Sequence, residues 1–294
     1  MVALRRLLLL GGSGRLGSHL RRAAGDDLRV AVAAPSRDEL DLETASQEEL
    51  DSLVGSGLYD VVLNCSAIAL VDRCETERAL ADRINGVVPG MLATAAAKAD
   101  VPFVHISTDY VFGGEAAPVG PFAETTPVGP AQYYGVTKAA GEEAVLAVPG
   151  RRTVARVSWL FGDGATPFQD YVLARARSLS EVPLLDQASR PTWLPGLSLW
   201  LLNLAAALQE GAFAPNILHP AGGPAATRHE WARAILDAHG LADVPTVPQT
   251  VESAPLAPRP KDTRLDARRT DAWIEATWGA TLPDWREMVE RAAR

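Results

Sequence analysis

The chain has 294 residues, 47% of them hydrophobic, and a formal net charge of −8. This composition supports a packed core and argues against intrinsic disorder. Acidic and basic residues are mixed along the chain without a basic stripe, which argues against nucleic acid as the main partner. A few local arginines would still suffice to bind an anionic ligand.

The N-terminus and the cysteines bear on the expected compartment. Residues 1–14 read MVALRRLLLLGGSG, and a short apolar run after basic residues can mimic a signal peptide. The run continues into glycines and a helical pattern instead of a cleavage site, so we interpret it as a buried first strand. No run approaches the ~20 apolar residues of a membrane span. Cys65 and Cys74 form neither a CxxC pair nor a zinc-type cluster, so we expect reduced thiols, no metal site and a cytoplasmic protein.

In the first half of the chain, short apolar runs alternate with helical patterns. Fully apolar runs indicate strands that are buried on both faces, as in parallel sheets, and the intervening patterns indicate crossover helices. The predicted strands are 7–10, 28–33, 60–64, 102–106 and 153–157, and the predicted helices are 15–24, 75–99 and 134–146. The expected fold is therefore α/β, with a doubly wound parallel sheet of the Rossmann type.

The pattern changes after about residue 158, where proline and tryptophan become frequent and the helices shorter. Helices are predicted over 197–208, 228–239 and 285–293, and the proline-rich stretch 244–261 is predicted to be a loop. We expect residues 1–157 to form mainly a dinucleotide-binding domain. Residues 158–294 would form mainly a smaller substrate-binding part, with segments that return to the sheet.

The segment GGSGRLG follows the first predicted strand and opens the first predicted helix. Gly11, Gly14 and Gly17 have a GxxGxxG spacing, which permits a tight turn and brings backbone N–H groups close to a pyrophosphate. These glycines, with Arg15 and Leu16 between them, are predicted to bind a dinucleotide cofactor. The alternative is a flexible turn that only caps the helix.

The end of the second predicted strand bears on the choice of cofactor. An acidic residue there would bind the ribose 2′-hydroxyl of NAD. Instead the strand runs through alanine, proline and serine to Arg37, which could pair with a 2′-phosphate, together with Arg15. This predicts NADPH and leaves acceptance of NADH open. The alternatives are that Arg37 is an ordinary loop residue and that Asp41 and Leu42 line the adenine side.

Tyr134 and Lys138 lie in the segment YGVTK, four residues apart and hence on one face of a predicted helix. Reduction of a carbonyl needs a proton on oxygen, and tyrosine is a poor proton donor and acceptor at neutral pH unless its pKa is tuned. A nearby ammonium favours the phenolate, and it can also bind the nicotinamide ribose. The chain has only three lysines, Lys98, Lys138 and Lys261, so a lysine at this position indicates a specific need.

The fourth predicted strand runs into HISTDYVF, residues 105–112. A hydroxyl of Ser107 or Thr108 could donate a hydrogen bond to a substrate carbonyl oxygen, although such residues also serve as turn caps. Asn85 lies inside a predicted helix, where asparagine is mildly unfavourable. It has either a buried bonding role or an ordinary surface position.

These motifs resemble those of extended short-chain dehydrogenase/reductases, and within that superfamily those of the dTDP-4-dehydrorhamnose reductase family. The resemblance spans nearly the whole chain, through GGSGRLG, DVVLNCSAIALVDRCE, FVHISTDYVFGG, GPFAETTPVGPAQYYGVTKAAGEEAV, RVSWLFG, DQASRPTW, ILHPAGG and PRPKDTRLD. It implies an NADPH-dependent reductase of the 4-keto group of a nucleotide-activated 6-deoxysugar, with dTDP-4-dehydrorhamnose reduced to dTDP-rhamnose as the first expectation. A monomer or a homodimer is expected.

The resemblance also implies roles for single residues. Thr108 matches the catalytic hydroxyl, Tyr134 the acid and Lys138 the base that orients the cofactor. Further cofactor contacts are implied for Asp41, Leu42, Ser66 and Ala67. Substrate contacts, or support of the site, are implied for Val71, Asn85, Thr108, Asp109, Tyr110, Trp159 and Arg259. Arg259 is a candidate phosphate partner, and Trp159 without the resemblance would be interpreted as a core aromatic residue.

The chain departs from the family pattern at two sugar-facing segments. Ile68, Ala69 and Leu70 replace an alanine–threonine type of segment, and Lys261 replaces a glycine. These departures keep another 4-ketosugar reductase open, of the dihydrostreptose or antibiotic deoxysugar type. A non-catalytic NADP-binding regulatory subunit is the alternative of a different class, which the intact Thr108, Tyr134 and Lys138 set argues against.

Overall fold

The computed structural model describes residues 5–27, 30–115, 119–162, 167–179, 181–249 and 256–293. Twelve strands lie in these ranges: β1 (Arg5–Leu10), β2 (Val30–Ala33), β3 (Val61–Asn64), β4 (Phe103–Thr108), β5 (Arg152–Val157), β6 (Leu160–Phe161), β7 (Val182–Leu184), β8 (Ala188–Ser189), β9 (Thr192–Trp193), β10 (Ile217–Leu218), β11 (Ala226–Thr227) and β12 (Thr246–Pro248).

Six strands form the central sheet in the order β10-β5-β4-β3-β1-β2, and every neighbouring pair is parallel. The chain winds outward from β1 to β2 on one side and through β3, β4 and β5 on the other. This order confirms the predicted doubly wound sheet. It also creates a switch point between β1 and β3, where ligands of such sheets bind beyond the carboxyl ends of the strands.

The α-helices are α1 (Arg15–Gly25), α2 (Gln47–Val54), α3 (Val71–Thr76), α4 (Arg78–Ala81), α5 (Val88–Lys98), α6 (Tyr133–Ala147), α7 (Pro167–Ser178), α8 (Leu194–Gln209), α9 (Arg228–Ala238), α10 (Arg268–Thr277) and α11 (Trp285–Ala292). None of the helices in the described ranges is both long and apolar enough to cross a bilayer.

Both faces of the sheet are buried, because successive side chains of a strand point to opposite faces. Leu7 and Leu9 of β1 pack into one core with α1 and α8. Leu8 and Leu10 pack into a second core with α2, α5 and α6. The uninterrupted run of leucines in β1 is the direct consequence of this double burial.

A third, smaller core lies away from the sheet and is formed by α7, α9, α11 and β7 around Trp231. The chain after residue 158 does not stay within it, because β10 and α8 return to the sheet. The proposed division into residues 1–157 and 158–294 stays a prediction.

Some predicted elements are wrong in detail. The single helix over 75–99 is instead a succession of α3, α4, a π-helical turn over Asp82–Val87 and α5. The stretch 244–261 contains β12 and is not wholly a loop, and its residues 250–255 lie outside the described ranges, as do residues 28 and 29 of the second predicted strand. The sequence analysis also predicts no helix at α2, α7 or α10.

Of these, α2 carries a sequence signal for its start. Ser46 and Glu49 form a capping box, in which the Ser46 hydroxyl accepts from Glu49 N and the Glu49 carboxylate accepts from Ser46 N at 2.7 Å. This S-x-x-E pattern precedes the helix in the sequence and could have located it. By contrast, α10 begins without a side-chain cap, so its start has no such marker.

A buried ion pair joins the sheet to α6. Arg156 of β5 donates to Glu142 of α6 through Nε at 2.9 Å and Nη2 at 2.6 Å, and Ser107 also donates to that carboxylate. Both members of the pair are almost completely buried. Because the pair is shielded from water, each charge depends on the other.

We expect Glu142→Gln to lower the free energy of unfolding by about 3–5 kcal/mol, because the substitution leaves Arg156 buried and without its counter-charge. Asp237→Asn is the matched control, since Asp237 pairs with Arg233 at 2.9 Å on the surface of α9. That substitution should cost less than about 1 kcal/mol. Urea unfolding of both variants measures the difference, and equal losses would contradict the assignment.

Candidate active site

The glycine loop lies at the switch point between β1 and β3. Gly11 has a φ of +78°, and a Cβ there would lie 2.6 Å from Ser66 N. A Cβ on Gly17 would lie 2.2 Å from Gly11 O. Side chains are thus excluded where the loop, α1 and the end of β3 meet, as a cradle for a pyrophosphate requires. The cap of α1, Gly14, makes no side-chain cap bond, which leaves the first N–H groups of the helix for a ligand.

A cleft of about 280 Å³ opens beside this loop. It brings together seven of the residues predicted to bind the cofactor: Gly11, Gly14, Arg37, Asp41, Leu42, Ser66 and Ala67. The sequence analysis missed other lining residues, among them Gly12, Ser13, Ile68 and Arg73. The glycine cradle and the cleft together fit a dinucleotide.

Arg37 lies at the outer end of the cleft and is paired with carboxylates. Its Nη2 lies 2.8 Å from Glu43 Oε2, and its Nε lies 3.5 Å from Asp41 Oδ1. Arg15 does not join it, because Arg15 Nη2 donates to Leu160 O at 2.5 Å on another side of the loop. The expected pairing of Arg15 with Arg37 around a 2′-phosphate is therefore not present in the structure. Leu16 is buried in the core under α1.

Thr108 and Tyr134 meet at the carboxyl end of β4. Thr108 is the last residue of β4, and its hydroxyl donates to Asp109 Oδ1 at 3.1 Å and accepts from Tyr110 N at 3.2 Å. Tyr134, in the first turn of α6, packs edge-on against Tyr110 and lies close enough to Thr108 for that hydroxyl to act on the pKa of the phenol. The neighbouring Tyr133 points elsewhere, with its hydroxyl donating to Asp82 at 2.8 Å.

The phenol of Tyr134 is protonated at neutral pH in this environment. Burial raises the pKa of Tyr134 well above its ordinary value, and the hydrogen bond with Thr108 opposes this rise. Asp109 adds to the rise, because a nearby carboxylate disfavours a phenolate. A tyrosine that keeps its proton until a basic oxygen arrives is suited to the part of a general acid.

Lys138 lies one helical turn after Tyr134 and is almost completely buried. Its Nζ lies 2.7 Å from Ile106 O and 3.1 Å from His105 Nε2. Burial lowers the pKa of Lys138 to about 8, although Glu142 acts in the opposite direction. His105 was not predicted as a site residue, although it stands next to the STDYVF motif.

Asp109 is buried, and both of its carboxylate oxygens are engaged. Oδ1 accepts from Thr108, and Oδ2 accepts from Ser189 at 2.7 Å and from Thr263 at 2.6 Å. Burial raises the pKa of Asp109 to about 6. This geometry makes Asp109 a residue that positions Thr108, in place of the expected substrate contact.

Asn85 is likewise satisfied by the protein itself. Its Oδ1 accepts from Ile68 N at 2.9 Å, and its Nδ2 donates to Ile68 O at 3.2 Å and to Thr137 Oγ1 at 3.1 Å. The side chain is fully buried behind the loop that follows β3. It therefore holds this loop against α6, which agrees with the buried bonding role and not with a direct substrate contact.

Aromatic side chains and an arginine surround Trp159. This residue has a φ of +39°, a strained conformation for a bulky side chain, and its ring stacks on Trp231. The guanidinium of Arg228 lies 3.8 Å from the ring centroid of Trp159 and 4.4 Å from that of Phe168. Burial lowers the pKa of Arg228 to about 10, and the nearby Tyr110 acts in the opposite direction. Sequence reasoning missed Arg228 because only the tertiary packing brings it to Trp159.

Arg259 and Val71 meet at the start of α3, through the residue that follows Val71. Arg259 Nη2 lies 2.9 Å from Asp72 Oδ2, and Arg259 Nη1 donates to Ala257 O at 2.9 Å. Val71 is the first residue of α3 and precedes Asp72, so this ion pair fixes the start of α3 against the C-terminal segment. Among the described residues no group of histidine, cysteine, aspartate and glutamate is placed to hold a metal ion.

The parallel sheet, the glycine cradle and the Tyr–Lys pair on α6 define an NAD(P)H-dependent oxidoreductase of the extended short-chain type. Comparison with known proteins narrows this class. A family model described as the RmlD substrate binding domain matches residues 5–294. The chain belongs to the dTDP-4-dehydrorhamnose reductase family, as the resemblance of its motifs predicts.

Individual proteins that the chain resembles support this family assignment. The chain is 34% identical over 300 residues to dTDP-4-dehydrorhamnose reductase of Mycolicibacterium smegmatis, a match that covers 99% of this chain and 86% of that protein. It is 33% identical over 292 residues to a Streptomyces antibioticus protein named "probable dTDP-4,6-dihydroxy-2-methyloxan-3-one 4-ketoreductase", covering 98% and 94%. A solved dTDP-4-dehydrorhamnose reductase from Clostridium acetobutylicum superposes with a TM-score of 0.83 at 28% identity, covering 98% of each chain.

Proposed function

We propose that this protein reduces the 4-keto group of a dTDP-activated 6-deoxysugar with NADPH, and that dTDP-4-dehydrorhamnose, giving dTDP-rhamnose, is the first substrate to test. The observation that carries the proposal is the meeting of Thr108 and Tyr134 at the carboxyl end of β4, beside the glycine-loop cleft. Family membership supplies the substrate class. The nucleotide sugar is the expected small-molecule partner, and a monomer or homodimer stays a prediction.

NADPH, when bound, supplies the hydride that carbon 4 receives. The protein's own residues supply the proton that the carbonyl oxygen receives. Tyr134 donates its phenolic proton to the carbonyl oxygen as that oxygen gains negative charge, which leaves a phenolate on Tyr134 and a hydroxyl on the sugar. Thr108, which lies beside the tyrosine hydroxyl, would orient it by a hydrogen bond. Lys138, on the same face of α6, stabilises the phenolate when it carries a positive charge.

The identity of the sugar is the part of the proposal for which there is a specific alternative. Ile68, Ala69 and Leu70 depart from the family pattern, and Asn85 clamps Ile68 against α6, so the altered segment has a fixed place beside the cleft. The similarity to the Streptomyces antibioticus protein supports a second candidate, the 4-keto reduction of another dTDP-deoxysugar. NADPH oxidation with a panel of dTDP-4-ketosugars separates the two candidates, and no oxidation with any of them would favour the non-catalytic alternative.

Tyr134→Phe tests the chemical step. The ring still packs, so NADPH affinity should remain, while kcat should fall by about 10²–10⁴-fold because the proton donor is lost. Tyr133→Phe is the matched control, since its hydroxyl bonds Asp82 at the surface and its kcat should stay near that of the wild type. Steady-state kinetics and a cofactor titration measure both quantities.

Two further variants distinguish the role of Lys138 from that of Thr108. Lys138→Met should lose both rate and cofactor affinity, whereas Thr108→Val should slow turnover with little effect on cofactor binding. A Tyr134→Phe enzyme that keeps more than about a tenth of the wild-type kcat would overturn the assignment of Tyr134.

The cofactor preference depends on Arg37. We expect NADPH to bind more tightly than NADH, because a 2′-phosphate can pair with the Arg37 guanidinium. Since Glu43 and Asp41 already contact that guanidinium, Glu43→Gln should strengthen NADPH binding, and Arg37→Met should remove the preference. Calorimetric titration of both cofactors checks this, and equal or tighter NADH binding by the wild type would refute it.

Arg259 is proposed to bind a phosphate of the nucleotide sugar. Arg259→Ala should raise KM for the sugar nucleotide roughly ten- to hundred-fold, as expected for the loss of one charge-assisted contact, and should leave NADPH affinity unchanged. Arg264→Ala is the control on the same segment, because Arg264 pairs with Asp262 at 2.6 Å. An unchanged KM in Arg259→Ala would show that Arg259 only braces Asp72.

A further inference from the structure

A chain of hydrogen bonds runs behind the cofactor cleft from the end of β3 to Lys138. Ser66 N lies 3.0 Å from Asn64 Oδ1, Asn64 Nδ2 lies 3.2 Å from His105 Nδ1, and His105 Nε2 lies 3.1 Å from Lys138 Nζ. Lys138 Nζ finally lies 2.7 Å from Ile106 O. Asn64 and His105 are 0% exposed and Lys138 is 1% exposed, so these groups are shielded from bulk solvent.

The direction of every bond in this chain follows from its first member. The backbone N–H of Ser66 can only donate, so the atom of Asn64 that faces it is the amide oxygen. The amide nitrogen of Asn64 must then donate to His105 Nδ1, which has to carry a lone pair. A neutral imidazole with a lone pair on Nδ1 has its proton on Nε2. His105 therefore points an N–H at Lys138.

A group that faces an N–H donor has to accept. An ammonium has three donors and no lone pair, whereas a neutral amine has one lone pair and two donors. The bond to Ile106 O uses one N–H of the lysine, and the lone pair accepts from His105. Both observed contacts are therefore compatible with the amine, whereas with the ammonium two N–H groups would face each other.

We propose that His105 is a positioning residue whose Nε2–H favours the neutral amine form of Lys138 in the cofactor-free protein. The part that Lys138 plays in turnover rests on the proposed function, but its charge state in the free protein does not. His105 thereby sets the pH at which Lys138 becomes the cation that stabilises the Tyr134 phenolate.

The other groups around Lys138 are consistent with this assignment. Glu142 on α6 favours the ammonium, but its carboxylate is held by Arg156 of β5. Cys65, after β3, stays a neutral thiol because burial raises its pKa far above the ordinary value. Burial holds the pKa of His105 well below its usual range, so the imidazole keeps a single proton.

The test is direct because the chain has only three lysines, Lys98, Lys138 and Lys261. Protein labelled with ε-¹³C lysine gives three resonances, and Lys138→Met identifies the one of interest. In the cofactor-free wild type that resonance should titrate about two pH units below the ordinary lysine value of about 10.4. In His105→Phe, whose ring can keep the stacking of His105 on Phe103, the midpoint should rise by about one pH unit.

Asn64→Asp is a second variant with a distinct signature. A carboxylate at position 64 accepts from Nδ1–H, which reverses the imidazole tautomer and lets Nε2 accept from an ammonium. The midpoint of Lys138 should therefore rise by about one pH unit or more in a nearly isosteric protein. His239→Phe, at the far end of α9, controls for the loss of a histidine and should leave the midpoint unchanged.

Two results would overturn the inference: a Lys138 resonance that already titrates at the ordinary lysine value in the wild type, or a low midpoint that neither His105→Phe nor Asn64→Asp moves. The proposed function fails separately. If the titrations behave as expected but no dTDP-4-ketosugar supports NADPH oxidation, the reaction is wrong and the assignment of His105 stands. If the enzyme is active, the alkaline limb of kcat/KM should move upward in the same variants.

Discussion

The carboxylate of Asp109 joins the two parts of the molecule on which the site depends. It lies immediately after β4, yet it accepts hydrogen bonds from Ser189 and Thr263, which belong to the C-terminal half. A buried carboxylate is unfavourable unless donors surround it, and the three hydroxyl groups that face Asp109 supply them. Its third donor is Thr108, so the same bonds that attach the C-terminal segments also decide which way the Thr108 hydroxyl points.

The charged side chains at the site are likewise held by partners from the chain itself. The protein is acidic overall, yet its expected ligands carry phosphates. Arg37 and Arg259 stand at the two ends of the site, and each is paired with carboxylates of the chain itself. Arg228, between aromatic rings, is kept in place by its stacking on Trp159 and Phe168. Phosphates entering the site would therefore compete with existing partners at its two ends, which favours ligands that contact several of these arginines at once over small anions.

Sequence patterns locate the parts of this fold that depend on local rules. Burial or helix geometry accounts for three such patterns: the leucines of β1, the glycine spacing before α1 and the Tyr–Lys spacing on α6. The structure has each of them in the predicted element. The π-helical turn around Asn85 is not predictable in this way. It accompanies hydrogen bonds from the Asn85 amide to Ile68 and Thr137, which lie elsewhere in the chain. The clamping of Thr108 by Asp109 and the stacking of Arg228 on Trp159 depend on residues far apart in the chain. No periodicity or spacing in a single sequence encodes such contacts.

Burial acts in opposite directions on the two central side chains of the site, and this difference is informative. It raises the pKa of Tyr134 and lowers that of Lys138, because in each case the neutral form is favoured away from water. Burial thus disfavours the charged form of both side chains, although turnover requires a phenolate and an ammonium. For Lys138 the sign of the cost is clear: the unfolded chain binds the proton more tightly than the folded one, so stability rises with pH between about 8 and the ordinary lysine value near 10.4. At neutral pH the burial of Lys138 therefore lowers the free energy of unfolding. An ion-paired arginine on the surface would not have this cost. A lysine is buried here in a chain that has only three lysines among its 28 basic residues. A purely structural role for this helix face does not explain that choice.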